Sequence, residues 1–328
     1  MKVMENQNSI KCLQGKNIYI ASCTEDGGIF HYKLFNGNFV LHDITKMDRP
    51  MYMIIDNQKM YIVLRAPFEN GESGVIVYNI AEDGSLNNPT EIISTKGEVA
   101  CHIAVHREKI YCANYISGSV IMLPDMLIQH AGKSVNPQRQ EGPHVHYVGM
   151  TPDEKYLCVT DLGLDTIFLY HPDMVLHSAV RVPDGQGVRH LAFSENGRYL
   201  FAVNELKSTV VAFSYCNGEL KLLDICQTIS DEYIDKSIAA AIRIKDGDVY
   251  VSNRGEDTIA RLKFENNKLL LVESINCSGR SPRDFNFIGN YLLCTNQDSD
   301  SVTVLNQNDN YKMCAQLDVP MPICACVQ

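Results

Sequence analysis

Short apolar runs, each long enough for one β-strand, recur along the chain at a nearly constant interval. Each run is rich in large and β-branched apolar residues and ends in a turn signal, which is the pattern of a short buried strand. The seven copies are NIYIAS (17–22), KMYIVL (59–64), KIYCAN (109–114), KYLCVTD (155–161), RYLFAVN (198–204), DVYVSN (248–253) and NYLLCTN (290–296). The last residue of each run is called its anchor, and the anchors follow one another at spacings of 42, 50, 47, 43, 49 and 43 residues.

The segments around each run complete a four-stranded unit. Small polar residues follow the anchor, and a β-branched residue then opens the next strand, as at Val120, Ile167 and Val210. A polar hairpin such as YCNGELKLL (215–223) follows, and another short strand such as VRHLAFS (188–194) precedes the run. Four strands per unit without a helical segment are typical of a propeller blade. The sequence therefore predicts an all-β, seven-bladed β-propeller of four-stranded antiparallel blades, forming a single domain over residues 1–328.

The two ends of the chain indicate how the ring closes. The segment PICACV (322–327) matches the strand that precedes each run, but no run follows it. The first run, NIYIAS, has no clear strand of that kind before it. We therefore expect the C-terminal strand to join the N-terminal blade, which removes the free sheet edges of an open ring. A WD-repeat ring is disfavoured by the absence of tryptophan, and a parallel β-solenoid by its shorter coils.

Charge and cysteine content narrow the functional classes. The net charge of −10, without a cluster of Lys and Arg, argues against a nucleic-acid partner. The twelve cysteines include no CxxC pair, and several lie in strand-like runs, so reduced cysteines and a cytoplasmic location are expected. Cys324 and Cys326 form a CxC, for which a metal is not expected. Residues 1–12 lack the apolar stretch of a signal peptide, and no apolar run approaches the roughly 20 residues of a membrane span.

Polar residues that break the apolar pattern at equivalent places in different blades are the candidates for chemistry. The innermost strands of a propeller surround a central channel, so residues far apart in sequence converge there. His144 and His146 alternate along one such strand and are expected to share a face. The other candidates are Arg189 and His190 on an innermost strand, Glu205 and Arg254 directly after anchors, the anchors Asn114 and Asp161, and Arg283 on an innermost strand.

Each candidate also has a purely structural interpretation. The anchors can cap the following turn, the histidines can be hydrogen-bonded framework residues, and Glu205 and Arg254 can form an ion pair between blades. Arg283 can be a structural or rim residue. No metal or cofactor is expected, because two histidines lack a third ligand and neighbouring arginines repel cations. The sequence also has no GxSxG elbow, no cysteine next to a candidate histidine, and no phosphate-binding glycine loop.

Several of these segments together resemble one family. They are GPHVHYVGMTPDEKYLCVTDLGLDTIFLY (142–170), VRHLAFSENGRYLFAVNELKSTVVAFSY (188–215), VYVSNRGEDTI (249–259) and SPRDFNF (281–287). Their order resembles the lactonase family of seven-bladed propellers, which includes propeller-type 6-phosphogluconolactonases and fungal carboxy-muconate cyclases. The resemblance is strong over residues 95–305 and weak at the ends. Val188 stands where the family commonly has proline, and residues 105–111 lack the usual Pro-Asp-Gly turn, but both departures concern turns.

The resemblance implies a channel-mouth site built from His146, Arg189, Glu205 and Arg254. The implied enzyme is a carboxylic ester hydrolase that opens 6-phosphogluconolactone to 6-phosphogluconate, a step of the pentose phosphate pathway. Arg189 and Arg254 are then expected to hold the anion and the oxyanion, because guanidinium groups bind phosphate and carboxylate in a bidentate way. His146 is expected to activate water while Glu205 orients it, and the opposite assignment, Glu205 as base, stays open.

The remaining candidates are expected to contact substrate, namely His144, His190, Asn114, Asp161 and Arg283. The expected partner is a small anionic sugar lactone, with no nucleic acid and no membrane, and the expected assembly is a monomer or a weak homodimer. Two alternatives stay open: a lactone isomerase similar to carboxy-muconate cyclase, and a non-catalytic binding propeller.

Overall fold

A computed structural model describes residues 15–35 and 38–328. Seven antiparallel sheets, each with four strand positions, are arranged in a ring, which confirms the predicted all-β, seven-bladed propeller. Every predicted run forms the second strand of its blade, counted from the channel. Within the described residues there is no α-helix, only 3-10 turns at Asp231–Tyr233, Gln297–Ser299 and Gln307–Asp309. The prediction about a signal peptide concerns residues 1–12, which lie outside the described residues.

The blades follow one another along the chain, and the innermost strand of each lines the channel. From the channel outward, the first blade contains β29 (Pro322–Val327), β1 (Asn17–Ser22), β2 (Gly28–Phe35) and β3 (Asn38–Lys46). The second contains β4 (Pro50–Asp56), β5 (Lys59–Leu64), β6 (Gly74–Ile80), and the short strands β7 (Leu86–Asn87) and β8 (Ile93–Ser94). The third contains β9 (Ala100–His106), β10 (Lys109–Asn114), β11 (Ser119–Met122) and β12 (Met126–Gln129).

The other four blades have the same order. The fourth contains β13 (Val145–Met150), β14 (Leu157–Asp161), β15 (Thr166–Tyr170) and β16 (Leu176–Arg181). The fifth contains β17 (Val188–Phe193), β18 (Tyr199–Asn204), β19 (Thr209–Cys216) and β20 (Glu219–Gln227). The sixth contains β21 (Ile238–Lys245), β22 (Asp248–Arg254), β23 (Thr258–Glu265) and β24 (Lys268–Asn276). The seventh contains β25 (Pro282–Ile288), β26 (Tyr291–Asn296), β27 (Ser301–Asn306) and β28 (Lys312–Asp318).

The outer edge of the second blade departs from the other blades. Its outer strand is split into β7 and β8, which both pair with β6. Asn88, with a φ of 48°, and Pro89 lie between the two pieces. A left-handed residue turns the chain away from the sheet, and proline has no N–H to donate to a ladder, so a continuous strand cannot form there.

The ring closes through the strand predicted from the C-terminal sequence. β29 pairs with β1 in antiparallel register, with Ile18 opposite Val327. The backbones of Asn17 and Gln328 exchange two hydrogen bonds of 3.2 and 2.9 Å, and the Nδ2 of Asn17 donates to the Oε1 of Gln328 at 3.1 Å. The prediction that the C-terminal strand completes the N-terminal blade is confirmed.

The apolar core lies between the blades. Strands in the second and third positions, such as β18 and β19, are buried on both faces because each blade is covered by a neighbour on either side. Phe201 and Val210 of the fifth blade, for example, share one cluster with Ile242 and Leu262 of the sixth. Burial on both faces explains why the repeated runs are continuously apolar instead of alternating.

Each innermost strand contains a β-bulge near the end at which it meets its anchor. In β13, Val145 is opposite Asp161 and Tyr147 is opposite Thr160, so His146 has no residue opposite it. The same irregularity occurs in the other six innermost strands and leaves one extra residue in each. A bulge redirects a side chain out of the regular alternation. Most of these extra residues therefore point into the channel, and together they are called the bulge ring.

Candidate active site

A cavity at one mouth of the channel is built from two sets of equivalent residues. The first set belongs to the bulge ring, with Met51, Cys101, His146 and Arg283 as members that reach the cavity. The second set consists of residues directly after anchors, namely Arg65, Tyr115, Glu205 and Arg254. Val99, Ile116, Ile238 and Arg139 complete the lining of a space of about 300 Å³. The repeat thus brings side chains from several blades to one place.

Glu205 lies at the centre of an arginine cluster. Its Oε2 accepts a hydrogen bond from the Nε of Arg189 at 2.8 Å and pairs with the Nη2 of Arg254 at 3.1 Å. Its Oε1 accepts a hydrogen bond from the Nη2 of Arg139 at 2.6 Å. Burial raises the pKa of Glu205, but the charges of Arg254, Arg189 and Arg139 outweigh it and hold the pKa well below its usual range. Glu205 is therefore a carboxylate at any pH near neutrality.

His146 is the one buried imidazole in the described cavity lining. Its ring stands edge-on to Tyr115, with centroids 5.4 Å apart, and edge-on to His190 at 5.1 Å. Its Nδ1 has no hydrogen-bond partner among the described residues. Burial, and then the charge of Arg189, lower the pKa of His146 well below its usual value. The ring is consequently neutral near pH 7 and has a nitrogen free for a ligand or a water.

The cavity has an excess of positive charge although the whole chain is acidic. Its lining contains four arginines and one glutamate, which is a formal charge of +3, against −10 for the protein. Arg65 and Arg283 have no carboxylate within 4.0 Å among the described residues, and Arg283 instead donates from Nη1 to the Oε1 of Gln297 at 3.1 Å. Unpaired guanidinium groups in a concave site attract anions.

The channel narrows below the cavity to a space for about one water molecule. His146, Arg189, His190 and Asp284 contribute polar groups to this constriction, and the Oδ2 of Asp284 is buried there without a partner among the described residues. Beyond it, at the opposite mouth, the rings of Tyr52, His102 and Tyr147 pack with centroids 4.4 and 4.5 Å apart. A narrow constriction therefore separates the cationic cavity from the opposite mouth of the channel.

The structure brings His146, Glu205, Arg254 and Arg283 together in this cavity. It places Arg189 beneath them, in the constriction, where Nε binds Glu205 and Nη1 donates to the carbonyl oxygen of Ala240 at 2.7 Å. His190 lies at the same level, with its Nε2 3.3 Å from the Nη1 of Arg189. Arg189 and His190 thus support the cavity from below and do not line it.

Three further candidates, His144, Asn114 and Asp161, lie outside the cavity, contrary to the expectation that they contact substrate. His144 stacks on Tyr115 at 4.6 Å, and its ring nitrogens contact the carbonyl of Tyr115 and the carboxylate of Glu141, each at 3.1 Å. The expectation that His144 and His146 share a face is wrong, because His144 precedes β13 and the bulge at His146 breaks the alternation.

The two anchors among the candidates, Asn114 and Asp161, hold the backbone framework, in agreement with the alternative that anchors have a structural role. The amide of Asn114 donates to the carbonyl of Thr95 at 3.0 Å and to the hydroxyl of Ser119 at 3.1 Å. The carboxylate of Asp161 accepts from the backbone N–H of His144 at 2.8 Å and contacts the Nδ1 of His130 at 2.7 Å. Both side chains are fully buried, so neither is open to a substrate.

Four polar residues of the cavity lining were not predicted by the sequence analysis. Arg65 and Tyr115 directly follow anchors, as Glu205 and Arg254 do, so the repeat contained a signal for them. Cys101 occupies the bulge position of β9, and its thiol donates to the carbonyl of His146 at 3.5 Å. Burial raises the pKa of Cys101 to about 12, so it is a thiol near neutrality. Arg139 lies in the connection between blades, where the repeat has no register.

The described residues contain neither a metal-binding cluster nor a membrane-spanning helix. No group of three or more His, Cys, Asp or Glu side chains in residues 15–35 and 38–328 is arranged to hold a metal ion. Cys324 and Cys326 both direct their sulfur atoms to the carbonyl of Met53, at 3.8 and 3.2 Å. In the same residues, no helix has the length and apolarity needed to span a bilayer.

Comparison with known proteins places the chain in a family. A protein of Staphylococcus aureus (strain USA300), described as uncharacterized, is 30% identical over 321 residues, covering 89% of this chain and 93% of the relative. The crystal structure of a candidate 6-phosphogluconolactonase of Bacteroides uniformis superposes with a TM-score of 0.85 and 26% identity, covering 96% of this chain and all of that one.

The fold is shared with a further solved structure. The periplasmic gluconolactonase PpgL of Pseudomonas aeruginosa gives a TM-score of 0.85 at 24% identity, covering 95% of this chain and 98% of that chain. A family model described as "Lactonase, 7-bladed beta-propeller" matches residues 17–328. With the fold and the family model in agreement, the chain belongs to the lactonase family of seven-bladed β-propellers.

Proposed function

We propose that this protein hydrolyses a phosphorylated sugar lactone, 6-phosphogluconolactone, to 6-phosphogluconate. The observation that supports the proposal most is the combination, in one cavity, of a formal charge of +3 with a neutral imidazole whose Nδ1 has no partner among the described residues. The relative from Bacteroides uniformis is a candidate for the same activity. This substrate assigns the protein to the pentose phosphate pathway, and we propose a cytoplasmic location for it.

The cavity offers separate groups for the phosphate and for the reacting carbonyl. Arg65 and Arg283 have no carboxylate partner among the described residues, so a phosphate can bind these two side chains without breaking an ion pair of theirs. Arg254 is tied to Glu205 through Nη2, but its buried Nε has no partner among those residues and can donate to a carbonyl oxygen. A donor aimed at the oxygen that becomes negative stabilises the transition state more than the ground state.

His146 fits the role of general base better than Glu205 does. All three arginines around Glu205 hold its carboxylate in the ionised form, and a carboxylate with so low a pKa is a weak base. His146 is neutral near pH 7 and therefore able to accept a proton, although its own pKa is also lowered. A bound phosphate dianion offsets part of the arginine charge that lowers this pKa, so substrate binding increases the basicity of His146.

The reaction then proceeds in two steps. The water oxygen bonds to the carbonyl carbon while His146 takes a proton from the water, and the negative charge on the former carbonyl oxygen faces Arg254. The bond between the carbonyl carbon and the ring oxygen breaks, and the ring oxygen leaves as a hydroxyl with the proton from His146. The new carboxylic acid releases its proton to solvent. Glu205 and Arg189 position Arg254 throughout.

The test compares enzymatic opening with spontaneous opening. Proton release from 6-phosphogluconolactone, glucono-lactone and a carboxy-muconolactone is followed in a pH-stat, with each uncatalysed rate subtracted. We expect the phosphorylated lactone to have the highest kcat/KM and His146→Gln to lower kcat about 10²- to 10⁴-fold. His177→Gln, which removes an exposed imidazole, is the matched control. Wild-type rates equal to background for both sugar lactones would refute the proposal.

A further inference from the structure

Arg139 is unlike the other two arginines that bind Glu205. Arg189 and Arg254 extend from strands of the blades and are 4% and 12% exposed, whereas Arg139 comes from the connection between β12 and β13 and is 37% exposed. Arg139 alone, among the described residues, binds Oε1, while Arg189 and Arg254 share Oε2. Arg139 can therefore leave Glu205 without removing the two cations that keep this carboxylate ionised.

The backbone on both sides of Arg139 is fixed. The next residue, Gln140, is fully buried, and its Nε2 donates to the carbonyl of Leu162 at 2.9 Å. The Oε1 of Gln140 accepts from the N–H of Asn136 at 3.1 Å, and the N–H of Arg139 donates to the side chain of Asn136 at 3.1 Å. The Cα of Arg139 is thus held in place at the mouth, and a change of partner requires only rotation of its side chain.

A second contact directs the guanidinium toward the cavity. The Nη2 of Arg139 also lies 3.3 Å from the hydroxyl of Tyr115, whose ring is stacked on His144. Both Arg139 and Tyr115 line the cavity together with the unpaired Arg65 and Arg283. An anion that binds Arg65 and Arg283 therefore lies in the same cavity as the Arg139 side chain.

We propose that Arg139 discriminates phosphorylated from unphosphorylated lactones by exchanging the Oε1 of Glu205 for the phosphate of the substrate. The inference rests on the proposed function and adds a specificity-determining residue to it. A phosphate dianion competes with a single carboxylate oxygen for Arg139, and an uncharged hydroxymethyl group does not. Once released, Oε1 faces the cavity as a free acceptor and can orient the attacking water. Only a phosphorylated substrate frees this acceptor. The charge of the phosphate therefore contributes to positioning the attacking water as well as to binding affinity.

The experiment measures kcat/KM for 6-phosphogluconolactone and glucono-lactone in wild type, Arg139→Gln, Arg139→Lys and Arg181→Gln. Arg181 forms an exposed pair with Asp184 and controls for the loss of one positive charge. We expect Arg139→Gln to lower the ratio of the two values about ten- to hundred-fold, the range of a charge-assisted hydrogen bond. Arg139→Lys should restore part of the ratio because it keeps the charge, while Arg181→Gln should leave it unchanged.

A binding measurement separates this inference from the proposed function. Calorimetric titration with 6-phosphogluconate and with gluconate requires no turnover. We expect Arg139→Gln to weaken 6-phosphogluconate binding at least about tenfold and to weaken gluconate binding much less. Equal losses for both ligands, or a substrate ratio within about twofold of wild type, would overturn the role of Arg139. Absence of lactone opening by the wild type, with selective loss of 6-phosphogluconate binding in Arg139→Gln, would refute the proposed function alone.

Discussion

The Nε of Arg189 donates to the Oε2 of Glu205 at 2.8 Å, and the two side chains are 4% and 5% exposed. A buried ion pair of this kind contributes little net stability over an apolar pair, but loss of one partner leaves the other charge uncompensated. Glu205 compensates Arg189, Arg254 and Arg139 together. The pair therefore offsets part of the cost of burying several positive charges together in the folded protein.

Glu205→Gln should destabilise the fold strongly. We expect a decrease of about 3–5 kcal/mol in the free energy of unfolding, because two buried arginines lose their counter-charge. The folded-state pKa of Glu205 is lowered, so its contribution is fully present above the unfolded-state value of about 4.3 and is lost as the pH falls through the lower folded-state value. Urea unfolding at several pH values, followed by tyrosine fluorescence, measures this difference. Exposed Glu195→Gln is the control, and equal stability of the two variants would contradict the interpretation.

The pH profile should identify His146 as the base. Because the pKa of His146 is well below about 6.5, kcat/KM for glucono-lactone should show no acid limb centred near that pH. The acid limb of kcat for 6-phosphogluconolactone should lie at higher pH than the acid limb for glucono-lactone, because bound phosphate raises the pKa of His146. Initial rates from about pH 4 to 8, corrected for spontaneous opening, test both statements. A kcat/KM limb near 6.5 that His177→Gln leaves in place would argue for a solvated base instead.

Arg283→Gln should affect substrate binding more than turnover. Arg283 has no carboxylate partner among the described residues, so its removal leaves no buried anion unpaired. We expect KM for 6-phosphogluconolactone to rise about ten- to hundred-fold and kcat to change much less. Arg198→Gln removes an exposed arginine of the fifth blade and should match wild type. An unchanged KM in Arg283→Gln would remove this residue from the anion site.

Cys101 should not act as a nucleophile although it lines the cavity beside His146. Burial raises its pKa to about 12, and the thiol donates to the carbonyl of His146, so almost no thiolate exists near neutrality. Cys101→Ala should retain at least about half of the wild-type kcat, a decrease far below the 10²- to 10⁴-fold expected of a catalytic group. Peptide mass spectrometry after iodoacetamide treatment should show exposed Cys216 alkylated long before Cys101. Loss of activity in Cys101→Ala without loss of stability would instead favour a mechanism in which Cys101 is a covalent nucleophile.

The fold could be predicted from the sequence because the same strand of every blade is buried in the same way. The runs that end at Asn204 and Asn253, for example, are covered on both faces, and this environment imposes a continuous apolar strand in every blade. The closing strand was equally visible, since PICACV had no other place in the repeat. The break between β7 and β8 was not predicted, because it depends on the local backbone at Asn88 and Pro89.

The candidate site was only partly accessible. Residues after anchors keep one position in every blade, so Glu205 and Arg254 were found, and Arg65 and Tyr115 follow the same rule although their anchors or residue types differ. The bulge was not visible in the sequence, which is why His144 was grouped with His146 on one face. Arg139 could not be found at all, because the connection between blades has no repeated register and its side chain meets Glu205 only in three dimensions.

The innermost strand of the first blade has a consequence for how the protein is made. β29 supplies Ile323 to the channel constriction and pairs with β1, whose residues leave the ribosome about 300 positions earlier. The first blade therefore lacks its innermost strand until the other six blades have been synthesised. The ring closes, and the constriction receives Ile323, only after β29 has emerged, and a chain that ends before that strand leaves β1 as an unpaired sheet edge.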